Sequence, residues 1–226
     1  MYSAGTVKTA GAADLVNGKV STKLAGVCVL VGGTAAPIFA VTPGQINFQV
    51  PQLSASSTAQ VQVVTGCGAS NELRSGAETV AVQSAAPEFF YFVQNSSGKN
   101  PIAAVNASTG VLVGQAGLIS GATFAPAKPG DVVTLYATGF GATSPAFVPG
   151  QLPDQAAQVT GAVQVSLGSS VLASTNVFYA GVTPGNAGLY QLNIRIPDTT
   201  ADGDQPLVIS IGGISSPSGG YITVKR

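Results

Sequence analysis

The chain has 226 residues; nine Lys plus Arg balance nine Asp plus Glu, so net charge is zero and only 8% of residues are charged. Soluble domains usually carry about 25%, so the surface is poor in charge, and nucleic-acid binding, which must neutralise a run of phosphates, is excluded. Lack of His removes the commonest general base and zinc ligand together, while a 45% hydrophobic content and a mean hydropathy of +0.37 argue against simple disorder.

The segment after Met1, Tyr2-Ser3-Ala4-Gly5, is not a basic stretch leading into a hydrophobic one, so no signal peptide is read. No stretch reaches the roughly 18 apolar residues of a membrane helix. The longest apolar window, Val27 to Val31, is strand-sized and stops at Gly32-Gly33. Ile46, Phe48 and Val50 then alternate with Gln45, Asn47 and Gln49, and Val61 and Val63 repeat the rhythm. An aromatic segment, Phe89 to Phe92, a hairpin around Asn95 to Asn100 and a strand in Asp131 to Thr138 follow. Between them, Ala116 to Ala127 is Ala-rich, but Gly117, Gly121 and Pro126 break any helix there. Val163, Val165 and Leu167 alternate with Gln164 and Ser166, and Leu192, Ile194 and Ile196 with Gln191, Asn193 and Arg195. Leu207, Ile209 and Ile211, then Ile222 and Val224, close the series. Period-two alternation means strands with one buried face and one wet face, as in antiparallel sheets. Pro43-Gly44, Pro129-Gly130, Pro184-Gly185, Asp202-Gly203 and Gly212-Gly213 supply the turns. The expected fold class is all-β.

An internal duplication is legible. The run Phe39 to Pro51 returns as Tyr179 to Pro197, with Gln45, Asn47 and Pro51 matching Gln191, Asn193 and Pro197 at one constant offset. Two tandem antiparallel β-sandwich modules are therefore expected, at 20–88 and 89–226, the second with an extra N-terminal hairpin section. Residues 1–19 form an N-terminal arm with no evident partner in the first module.

The stretches APIFAVTPGQINFQVP (36–51), AKPGDVVTLYATGFGATSP (127–145), YAGVTPGNAGLYQLNIRIP (179–197) and VISIGGISS (208–216) resemble the Solibacter-type uncharacterised C-terminal domain family. That family stands at the C-terminal end of large secreted or surface proteins of acidobacteria. The resemblance implies Ig-like, TIG-like modules and an extracellular or cell-surface setting. It implies no activity, because the family has no established catalytic residues.

Cys28 and Cys67 are the only cysteines; an even count in a His-free, secreted-looking β protein reads as a disulfide. If Val27, Val29 and Val31 face the core, Cys28 points outward, so the bridge is expected to be a peripheral staple. Gln45, Asn47, Gln191 and Asn193 are read as structural, their amides bonding backbone of neighbouring loops, with Pro51 and Pro197 ending the strands. Asp198, Asp202 and Asp204 form the densest acidic patch; lacking EF-hand spacing and a closing Glu, they read better as a polar turn than as a calcium loop. Asn95 and Asn106 open N-x-Ser triplets.

No catalytic residue, cofactor or metal is assigned. Ser is abundant, but no His exists to activate it, and the acids are scattered singly. The expectation is a non-enzymatic extracellular structural protein, a subunit that polymerises with copies of itself into a filament or surface layer. Strand donation by residues 2–17 is one route; the other reading makes this segment the first strand of its own module. The alternative function is an adhesion or carbohydrate-binding accessory module, with Tyr136, Phe140, Phe147, Tyr179 and Tyr190 as the aromatics that a glycan would stack on.

Overall fold

A computed structural model describes residues 7–53 and 57–226. The first six residues of the arm and 54–56 lie outside them. Strand makes up 45% of the chain and helix 3%, so the protein is all-β. Among the described residues no helix is long and apolar enough to cross a membrane.

The chain forms two compact units. The first comprises 1–83 together with 147–154 and 184–188, two segments that linear reading puts in the second module. One sheet runs Glu78–Ala81, Thr58–Thr65, Val27–Val31, Thr34–Ala35, with Leu73–Arg74 also on Thr58–Thr65. A second runs Lys8–Thr9, Ile38–Val41, Ile46–Phe48. Val27, Val29 and Val31 alternate into a buried cluster with Leu24, Ala36, Ile38 and Val41, which is what their period-two spacing dictates. At Gly32 (φ 56°) and Gly33 (φ 80°) the chain reverses into Thr34. Both residues need positive φ, so a Gly pair is the two-residue turn that matches strand twist.

The arm has a partner after all. Lys8 and Thr9 lie opposite Val41 and Ala40, and the Ala10 N–H donates to the Phe39 carbonyl at 2.7 Å. Leu15–Val16 and Lys19–Val20 form a hairpin of their own. Two-residue strands are too short for alternation to reveal them.

The second unit comprises 84–146, 155–183 and 189–226. Its larger sheet has nine strands, in the order Phe124–Ala125, Leu112–Val113, Ala104–Asn106, Val132–Thr138, Tyr190–Arg195, Val177–Val182, Ala157–Val159, Thr143–Ser144, with Glu88–Phe89 also on Val132–Thr138. The six-stranded sheet runs Asn100–Pro101, Gly220–Val224, Gly203–Ile211, Val163–Leu167, Ser170–Val171, with Ile214–Ser215 on Gly203–Ile211. The two sheets share one core: Val133, Leu135, Leu192 and Ile194 from the larger, Val165, Leu207, Ile209 and Ile222 from the smaller.

Two hairpins, one in each unit, have the same irregularity. Ile38 pairs with Phe48 and Ala40 with Asn47, leaving Phe39 as the extra residue. Val177 pairs with Ile194 and Tyr179 with Asn193, leaving Phe178 as the extra residue. A one-residue bulge resets the face on which every following side chain emerges.

Candidate functional site

Cys28 and Cys67 are disulfide-bonded, with Cα atoms 5.9 Å apart. Cys28 does leave the side occupied by Val27, Val29 and Val31, but it does not reach water: it is 5% exposed, beside its buried cross-strand neighbour Val64. Both faces of this strand are covered here, so one-face parity misplaces the cysteine. Cys67 sits just beyond Thr58–Thr65, where its N–H donates to the Gly26 carbonyl at 3.0 Å.

The amides of the repeated motif bond each other. Gln45 Nε2 donates to Asn47 Oδ1 at 2.5 Å, and Gln191 Nε2 donates to Asn193 Oδ1 at 3.4 Å. Loop backbone is the partner expected from sequence; the partner found is the second amide on the same strand face. Period two explains it, since residues i and i+2 project side by side. Pro51 is buried and Pro197 half-buried.

The acidic loop is tied into the C-terminus. Asp198 pairs with Arg195 at 3.1 Å, Asp202 Oδ1 accepts the Arg226 N–H at 3.1 Å, and Asp204 Oδ1 accepts the Thr223 hydroxyl at 2.7 Å. Gln115 Nε2 also donates to Asp204, at 3.3 Å. Among the described residues no three His, Cys, Asp or Glu side chains converge as a metal-binding group.

The aromatics singled out from sequence do not form a platform. Phe140 is fully buried, 5.4 Å from the Tyr190 ring, and the Tyr190 hydroxyl donates to the Gly141 carbonyl at 2.7 Å. The Tyr179 hydroxyl donates to the Val182 carbonyl at 2.7 Å and accepts the Ala157 N–H at 3.0 Å. Burial pushes both phenols above the usual tyrosine range. Tyr136 and Phe147 are half-buried. Asn95 Nδ2 donates to the Lys99 carbonyl, and Asn106 Oδ1 accepts the Ser108 and Thr109 N–H groups.

Two other aromatics among the described residues do face water, Phe90 at 47% exposure and Phe178 at 51%, the latter at the bulge. Alternation gives no warning of Phe178, because the bulge breaks the count between Val177 and Tyr179. Phe178 stands on the rim of a groove of about 330 Å³ in the second unit. Val163 (36% exposed) and Val171 (59%) share the lining, and Val165 and Leu172, both buried, form part of it. Gln158, Gln164, Ser174 and Tyr179 bring its polar side chains, and among the described residues no charged one lines it.

Backbone adds a second feature. Val177–Val182 pairs with Tyr190–Arg195 on one edge, while Ala157–Val159 covers the other only at Gly181 and Val182. Val163–Leu167 pairs with Gly203–Ile211 on one edge, and Ser170–Val171 covers the other only at Ser166 and Leu167. Among the described residues, no strand lies along the remaining edge of Val177–Ala180 or of Val163–Gln164. Apolar rims and open strand edges thus meet at one groove. Such a site can take an extended, uncharged segment, with backbone pairing for affinity and alternate side chains set among the valines.

No protein-family model, no curated protein and no solved structure matches the chain.

Proposed function

We propose that this chain is a non-enzymatic, extracellular structural subunit that associates with copies of itself into a filament or surface layer. The observation that carries the reading is the groove at Phe178, where Val163 and Val171 stand exposed beside strand edges that no strand among the described residues covers. Exposed apolar side chains grouped on an open edge invite pairing with another chain, and natural edges are usually guarded by Lys, Pro or a covering loop. Net charge of zero removes the repulsion that keeps copies apart. The resemblance to the Solibacter-type C-terminal domains and the disulfide both fit a secreted setting.

On this reading the units are Ig-like sandwiches derived from one another by duplication. The matching bulges at Phe39 and Phe178, each opposite a strand bearing the Gln–Asn amide pair, support that descent. Strand donation by the arm narrows to the residues before Lys8, since Lys8–Thr9 and Leu15–Val20 are paired at home. The test is mass measurement by light scattering across a concentration series. Growth of oligomers with concentration supports the proposal, and a constant monomer mass removes it.

A second reading has one observation of its own: an exposed ring, Phe178, beside the amides Gln158 and Gln164 and the Ser174 hydroxyl. Ring plus amides is how a sugar is held, so an adhesion or carbohydrate-binding module remains the alternative. A glycan array that gives a hit abolished by Phe178→Ser supports it, and an array without hits rejects it.

A further inference from the structure

We propose that the groove at Phe178 is the acceptor for residues 1–7 of a second copy, which enter it as an added strand; this rests on the self-association reading and names its contact. Chemistry of the lining restricts the occupant first. Gln158, Gln164, Ser174 and Tyr179 are the polar side chains, the Tyr179 hydroxyl already bonded to Val182 and Ala157 backbone, and no Lys, Arg, Asp or Glu lines the groove among the described residues. A buried charge without a partner is costly, so the side chains of the occupant must be uncharged along the groove. Met1-Tyr2-Ser3-Ala4-Gly5-Thr6-Val7 contains no acid or base side chain and no Pro, so every residue can also donate to an edge.

Length and tethering agree. Seven extended residues reach about 23 Å, longer than either flanking strand, Val163–Leu167 or Val177–Val182. Lys8 and Thr9 stay paired to Val41 and Ala40 of their own copy, so the donated segment begins where home pairing ends. On an extended segment Tyr2 and Ala4 share one face and Met1 and Val7 the other, so either face offers apolar groups to a cavity of about 330 Å³ rimmed by Phe178 and Val171. Because a segment of one copy meets a groove of another, the contact is head-to-tail, and repeating it yields an open filament.

Complementation tests the contact. One chain lacks residues 1–7 and keeps the groove; a second keeps residues 1–7 but carries Phe178→Asp. Since Phe178 is exposed on a bulge, the substitution spares the core, and Val171→Asp, on the exposed Ser170–Val171 edge, serves as a second groove variant. Light scattering should give a monomer for each variant alone, and an equimolar mixture should double in mass and stop there, because the pair then has neither a free donor segment nor a free groove. Wild type should continue to longer species. A truncated chain that assembles like wild type, or a mixture that stays monomeric while wild type polymerises, overturns the assigned contact and leaves self-association standing. Wild type that is monomeric throughout overturns both.

Discussion

Tyr190 shows how far burial sets the behaviour of a single group. Its hydroxyl donates to Gly141 and its ring packs on Phe140, so loss of the phenolic proton would leave a charge in apolar surroundings, and the pKa is raised from the ordinary value of 10.0. Tyr91 is raised further by burial and by the Glu88 carboxylate that its hydroxyl bonds. Above pH ~10 the unfolded chain releases these protons while the folded chain keeps them, so stability is full below that pH and falls as pH rises past it. Circular dichroism melts should show a flat melting temperature from pH 6 to 9 and a decline beyond pH ~10; a decline that starts near pH 7 contradicts the assignment. The disulfide is the other residue-scale device. In the chain-entropy picture a loop of this length stabilises by about 4 kcal/mol, so Cys28→Ser with Cys67→Ser should lower the urea midpoint of the first unit by a matching amount. An unchanged midpoint would mean the unfolded chain gains nothing from release of the loop.

Elements were legible in the sequence wherever one face is buried and the other wet. Val165 and Leu167, and Leu192 and Ile194, lie in the core where alternation puts them, while Val163, in phase with the first pair, is exposed at the groove; Gly32-Gly33 and Gly212-Gly213 sit between paired strands. Phe140 belongs to the same core, although in sequence it stands in a Gly-rich stretch that reads as a loop. Phe140→Ala should cost about 3–5 kcal/mol in denaturant unfolding, and a loss under 1 kcal/mol would show that the site collapses around the gap. Illegible elements have physical reasons too. Lys8–Thr9 and Leu112–Val113 have two residues each and no period to read. Phe178 escapes because a bulge shifts register by one residue, which turns an apparent core aromatic outward. Cys28 escapes because its strand is buried on both faces at that point. The groove combines the last kinds of miss, since it depends on a bulge and on where two short strands stop pairing.

At the scale of the whole molecule, charge is what the chain lacks. No His is present and both cysteines are bonded, so the side-chain types that titrate near neutrality are missing between about pH 5 and 9. The proposed contact also joins a segment without charged side chains to a groove without them. Assembly should therefore change little between 50 mM and 500 mM salt, because screening acts on charges; loss of assembly at high salt would point to ion pairs elsewhere on the surface. The most direct measurement of the central claim is negative-stain electron microscopy of the full chain beside the chain lacking residues 1–7. The account predicts ordered polymers from the first and single particles from the second. Single compact particles from the full chain at every concentration would contradict it.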